Sequence, residues 1–129
     1  MATEMAKAQA KDHLEHIVGL IHSLRIAQDA GDKAEENAVR KEIDYLPLEV
    51  LVRSGWHRPG EDAGPEEYQI VLGTGGPAVR ITGALYSWGE PATAVLEYAD
   101  WDTPWTAYPA DAAEEQALLE FAQQFYYGG

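Results

Sequence analysis

The chain has 129 residues, of which 46% are hydrophobic, and its 22 acidic residues against nine Lys and Arg give a net charge of −13 with neutral histidines. This length and apolar content fit one folded domain with its own core and exclude a disordered tail. The absence of cysteine excludes disulfides, thiolate nucleophiles and cysteine-based zinc sites. The absence of a long apolar run excludes a membrane-spanning helix.

The N-terminal part, residues 1–46, is predicted to form a helical hairpin. Apolar side chains recur three and four positions apart over residues 4–30, which is typical of a helix that turns one face to a core. Gly31 suits the end of this helix, and Asp32 begins a second one with an acidic capping pattern. Pro47 prevents the second helix from continuing.

The middle of the chain, residues 47–108, has the alternating pattern of strands. Four apolar runs alternate with polar residues and are separated by turns rich in Gly and Pro. They centre on Val50, Ile70, Ile81 and Leu96. The short connections favour an antiparallel meander. The Gly-rich segment 73–77 is followed by a strand pattern rather than a helix, so it predicts a hairpin turn and not a phosphate loop.

The last part, residues 109–129, is predicted to be a third helix, with Asp111 and Glu114 as its capping pair. The sequence therefore predicts a single α+β domain spanning residues 1–129. It consists of two N-terminal helices, a four-stranded antiparallel meander sheet, and a C-terminal helix that packs on one face of the sheet.

Residues for catalysis or metal binding are few. His13 and His16 lie three positions apart on the first helix, but zinc needs three or four convergent ligands and no second cluster exists. The serines do not occur in a nucleophile elbow, and neighbouring acids point apart in a helix or strand. We therefore expect no enzyme activity, no metal and no cofactor. The alternative is an enzyme whose catalytic groups converge from distant positions in the sequence.

The charge is unevenly distributed along the chain. No Lys or Arg follows Arg80, whereas eight acids do. Such a surface repels phosphate and attracts basic surfaces, so we expect no direct binding to nucleic acid but a basic protein partner. The short apolar stretches predict no membrane partner. In the alternative interpretation, the negative charge only keeps the protein soluble and serves no partner. The first residues lack a signal-peptide pattern, which predicts a cytoplasmic protein.

Residues 97–108 contain two Trp, two Tyr and three acids. Trp and Tyr dominate binding hot spots, and flanking carboxylates suit an Arg-rich partner. The predicted partner-binding residues are Glu90, Glu97, Asp100, Trp101, Asp102, Trp105, Glu114 and Glu115. In the alternative interpretation, Trp101 and Trp105 fill the edge of the sheet as core residues.

Three segments carry a resemblance to known proteins: TGGPAVRI at residues 74–81, DWDTPWT at 100–106 and FYYG at 125–128. From about Leu48 to the C-terminus, the chain resembles a group of small acidic proteins encoded by phages, prophages and plasmids. The resemblance implies a mobile genetic element, where such proteins often inhibit host defence as anti-restriction or anti-CRISPR proteins. It assigns no active-site residue.

These observations predict a non-enzymatic inhibitor that blocks a basic nucleic-acid-binding site of a host defence complex. One alternative is a small-molecule or peptide-binding module, for instance one that sequesters a nucleotide with Arg53, Arg58 and Arg80. Another is an oligomeric structural protein, such as a homodimer, in which the first helix pairs with that of a second copy.

Overall fold

The computed structural model describes residues 2–61 and 64–128. Within them the chain folds as an α+β domain of three helices and five strands, as the sequence predicts in outline. The helices are α1 (Ala2–Ala30), α2 (Lys33–Tyr45) and α3 (Ala112–Ala122). The strands are β1 (Glu49–Arg53), β2 (Glu67–Gly73), β3 (Ala78–Ala84), β4 (Val95–Asp100) and β5 (Thr103–Ala107).

The five strands form one sheet in the order β1-β2-β3-β4-β5, and every neighbouring pair is antiparallel. The predicted meander is confirmed, but the prediction of four strands is wrong by one. The missed strand is β5, which contains Pro104 and is only five residues long. Proline lacks an N–H and argues against a central strand, but an edge strand tolerates it because one side needs no ladder hydrogen bonds.

The helices cover one face of the sheet, where α1 contacts β3 and β4 and α3 contacts β4. Alternate residues of β2, β3 and β4 point into this interface, because side chains along a strand alternate between its two faces. The buried strand residues on this face are Tyr68, Ile70, Leu72, Val79, Ile81, Leu96 and Tyr98. They form one core with the buried helix residues, which include Leu14, Ile17, Ile43, Leu118 and Phe121.

The apolar stripe of α1 is covered within the chain. Over residues 4–30, its eight buried residues face α2, α3 and the sheet. They are Ala6, Ala10, Leu14, Ile17, Leu20, Ile21, Leu24 and Ala27. A homodimer built on this stripe would therefore have to expose the core, which removes the physical basis for pairing through the first helix.

The predicted caps begin the two shorter helices. Asp32 accepts a hydrogen bond from the backbone N–H of Glu35 at 3.1 Å. Asp111 and Glu114 form a reciprocal capping box, with hydrogen bonds of 2.8 and 2.9 Å. These bonds satisfy backbone N–H groups that have no partner inside a helix.

The C-terminal helix is shorter than residues 109–129, because α3 ends at Ala122. The chain then turns back, and Tyr127 is buried against Tyr68 with ring centroids 5.0 Å apart. The ring buries a large apolar area, and its hydroxyl donates a hydrogen bond to the carbonyl of Ala122 at the end of α3.

The other face of the sheet, which we call the open face, is not covered by any helix among the described residues. The strand registers arrange its side chains in rows that cross the sheet. One row is Leu51, Gln69, Thr82 and Val95, and a second is Glu49, Val71, Arg80, Glu97 and Ala107. Of the helices described, none has both the length and the apolar character that crossing a membrane requires.

Candidate functional site

All four tryptophans of the chain reach the solvent. Trp56 and Trp88 are exposed on loops, Trp101 is 86% exposed, and Trp105 is 39% exposed. Trp is highly buried on average in folded proteins, so four exposed indoles are unusual. The interpretation of Trp101 and Trp105 as core residues is therefore wrong, because the core is filled by aliphatic side chains, tyrosines and Phe121.

Trp101 lies in the turn between β4 and β5, which we call the Trp101 turn (residues 100–103). Its indole rests against Gly76 in the neighbouring turn, where a β-carbon would collide with the ring. Asp100 Oδ1 accepts a hydrogen bond from the backbone N–H of Trp101 at 2.7 Å, which fixes the turn. Asp102 is exposed beside it. The turn thus presents an oriented indole between two carboxylates.

Trp105 has a different environment, because it lies on the open face under Arg80. The guanidinium carbon of Arg80 is 3.8 Å from the centroid of the Trp105 ring. Arg80 Nε donates to Glu97 Oε1 at 2.8 Å, and the hydroxyl of Thr82 donates to the same oxygen at 3.3 Å. Arg80 therefore covers one face of Trp105 and pairs with Glu97. Neither Trp105 nor Glu97 is as fully available to a partner as the sequence had predicted.

The remaining predicted acids lie in other environments. Glu90, in the loop between β3 and β4, accepts a hydrogen bond from Trp88 Nε1 at 3.0 Å. Trp88 stacks on Tyr86 with ring centroids 4.4 Å apart. Glu114 is engaged in the cap of α3, while Glu115 is exposed.

The predicted carboxylates do not converge on one patch. Glu90 precedes β4 and Asp100 ends it, and a six-residue strand spans roughly 17 Å at about 3.4 Å per residue. These two acids therefore lie towards opposite ends of the sheet. Of the eight predicted residues, the structure groups the exposed Trp101 and Asp102 beside the half-buried Asp100 as one contiguous feature.

The cations do not compensate the charge of the Trp101 turn. Residues 81–129 contain no Lys or Arg. Among the described residues, three arginines from elsewhere contact this part of the chain: Arg25 pairs with Glu120, Arg80 pairs with Glu97, and Arg40, which pairs with Glu36, donates a hydrogen bond to Gln124. Within the described residues, neither Asp100 nor Asp102 has an ion-pair partner, so the turn keeps its negative charge.

The open face has a shallow depression of about 520 Å³, lined by Leu51, Gln69 and Thr82 among others. Arg53 and Arg80 also line it, but each guanidinium is already paired, with Glu67 and Glu97 respectively. A phosphate group in the depression would therefore meet two arginines whose positive charge is already balanced by carboxylates.

The histidines of α1 do not gather a metal-binding set. Burial lowers the pKa of His13, and the nearby His16 lowers it further, while Asp12 opposes both. Over residues 2–61 and 64–128, no three His, Asp or Glu side chains are placed to hold a metal ion together.

Sequence reasoning missed the exposed aromatic residues Trp56 and the Tyr86–Trp88 pair. A signal for them was present, because both tryptophans are flanked by glycine in segments with turn composition. A tryptophan in such a segment is attached to a loop at the surface and not to a strand that faces the core.

Comparisons with protein-family models, with curated proteins and with solved structures give no match to this chain. The resemblance to proteins of mobile elements therefore stays a prediction from the sequence segments alone.

Proposed function

We propose that this chain is a non-enzymatic binding protein that places its Trp101 turn on a cationic surface of a protein partner. The observation that carries this proposal is an exposed indole, oriented by Gly76 and flanked by the carboxylates of Asp100 and Asp102. A tryptophan buries a large apolar area at a small cost in conformational entropy. Carboxylates beside it pair with Arg or Lys at the rim of the pocket that receives the ring.

The net charge supports the same kind of partner. A charge of −13 speeds the encounter with a basic protein through long-range attraction and repels nucleic acid. The acids outside the Trp101 turn serve this steering even though they do not form one patch, because steering depends on the summed field and not on individual contacts.

For the partner, we propose the basic nucleic-acid-binding site of a host defence complex. A groove that holds phosphates also attracts carboxylates, so a bound acidic protein excludes DNA or RNA from it. The resemblance to small acidic proteins of mobile elements supports this choice. In this proposal the protein acts as an anti-restriction or anti-CRISPR inhibitor in the host cytoplasm.

The nucleotide-sequestering alternative has less support. It needs Arg53, Arg58 and Arg80 together to be available to phosphate, and carboxylates already engage Arg53 and Arg80. A phosphate group would have to displace a carboxylate from each, against the negative charge of the whole chain.

A tryptophan comparison tests the proposed contact. We expect the protein to inhibit DNA or RNA cleavage by a purified restriction or CRISPR effector complex in a panel. Trp101→Ala should weaken inhibition about 30-fold, the loss typical of a hot-spot residue at about 2 kcal/mol. Trp56→Ala is the matched control, because it removes an indole that is even more exposed from a distant loop, and it should behave like the unmodified protein.

The charges of the turn are tested separately with Asp100→Asn and Asp102→Asn, which keep the side-chain shape and an acceptor oxygen at position 100. The double variant should bind more weakly, and its affinity should depend less on salt. If Trp101→Ala binds as tightly as the unmodified protein, the Trp101 turn is not part of the interface. Binding to a defence complex at a site away from its nucleic-acid groove would overturn the choice of partner surface.

A further inference from the structure

The two edges of the sheet differ in how they are protected. At one edge, β5 contains Pro104 and its register with β4 is interrupted between Tyr98 and Asp100. Proline and bulges are devices that stop an edge strand from pairing with another chain. At the other edge, β1 has no proline, and its five residues pair with β2 in an uninterrupted register. Among the described strands, β1 has a neighbour on one side only.

β1 also exposes aliphatic side chains on both faces of the sheet. Leu51 is 42% exposed and aligns with Gln69 on the open face, whereas Val52 is 46% exposed and aligns with Tyr68 on the helix side. A molecule lying on either face would cover only one of them. A strand that pairs with β1 in the plane of the sheet would cover both.

The sequence of β1, Glu49-Val50-Leu51-Val52-Arg53, is complementary to itself when a second copy runs antiparallel. In the register centred on Leu51, each Leu51 faces its counterpart and Val50 faces Val52. Glu49 then faces Arg53 at both ends, so both charged pairs are opposite in sign. A slip of one residue would turn the side chains to the wrong faces, and a slip of two would place Leu51 opposite a charge.

We infer that β1 pairs with β1 of a second copy about a two-fold axis, so that the two five-stranded sheets become one sheet of ten strands. Arg53 already pairs with Glu67, and its guanidinium has donors for a second carboxylate. Glu49 has no ion-pair partner among the described residues. In the dimer, Arg53 lies between Glu67 of its own chain and Glu49 of the second copy.

Light scattering over a concentration series tests this interface, at physiological salt so that the repulsion between the two acidic copies is screened beyond about 8 Å. The mass should rise with concentration from 14.2 kDa towards twice that value. Leu51→Lys and Val52→Lys should each weaken the dimer about tenfold or more, because each places two lysines at the strand junction.

Val95→Lys is the matched control. Val95 is 41% exposed and lies in the same open-face row as Leu51, but on an inner strand. The control should dimerise like the unmodified protein, and circular dichroism should show that all three variants are folded. A chain that stays monomeric at every concentration overturns the proposal. A dimer broken by Leu51→Lys and Val95→Lys but not by Val52→Lys would assign the contact to the open face instead.

A charge exchange tests the register. Glu49→Arg places arginines opposite each other in its homodimer, and Arg53→Glu places glutamates opposite each other, so each variant alone should be mostly monomeric. In an equal mixture, both charged pairs become opposite in sign, and a heterodimer should form. A mixture that remains as monomeric as its components would show that the strands do not pair in this register.

Discussion

At the scale of single residues, two tyrosines carry hydroxyl groups into the core. The hydroxyl of Tyr68 donates to the carbonyl of Thr93 and that of Tyr127 donates to the carbonyl of Ala122, both at 2.6 Å. Burial raises the pKa of both hydroxyls, and for Tyr127 the nearby Tyr68 adds to the effect. Both groups therefore stay protonated in the folded chain at a pH where free tyrosine ionises.

This arrangement predicts a loss of stability in alkali. The unfolded chain releases these protons near the ordinary pKa of 10.0, whereas the folded chain holds them to higher pH. The free energy of unfolding should therefore be insensitive to these groups below about pH 10 and fall above it. Urea unfolding at about pH 8 and about pH 11 checks this, with the double variant Tyr68→Phe/Tyr127→Phe as the comparison.

The double variant should lose roughly 1 kcal/mol per hydrogen bond at about pH 8, but its stability should then decline less towards about pH 11. An equal decline in both proteins would assign the alkaline sensitivity to other groups.

At the scale of elements, local signals along the sequence predicted most of the fold. The acidic caps at Asp32 and Asp111 begin helices, and the alternation in β2, β3 and β4 faces the core as expected. These signals depend on a few neighbouring residues, so they can be read without the tertiary structure. β5 could not be read in this way, because Pro104 contradicts a strand and only pairing with β4 makes it one.

The capping box of α3 supplies a prediction at this scale. Asp111→Ala removes the acceptor for the backbone N–H of Glu114 and should lower the free energy of unfolding by about 1 kcal/mol. Asp102→Ala is the control. It removes the same charge from an exposed position that caps no helix, so it should change the free energy of unfolding much less. Urea unfolding measures both. Equal losses would mean that charge and not capping sets the effect.

At the scale of the whole molecule, one helix layer covers one sheet face and leaves the tryptophans outside. This arrangement predicts that the native tryptophan emission lies close to that of the unfolded chain, because all four indoles contact solvent. Far-ultraviolet circular dichroism should still show one cooperative transition, since α1 contacts α2, α3 and the sheet in a single core. A native emission peak at clearly shorter wavelength, moving to the red on unfolding, would contradict the exposed positions of the indoles.

The sequence by itself determined the class of elements, the caps and the excess of acids, because each depends on residue type and on neighbours along the chain. Only the tertiary structure decided which surfaces remain free, because exposure depends on elements that meet in space. Arg80 reaches Trp105 and Glu97 from another strand, and Gly76 supports Trp101 from another turn. For the same reason, the predicted acids separate along β4, and β1, unlike the buried apolar stripe of α1, is left with aliphatic side chains uncovered at the edge of the sheet.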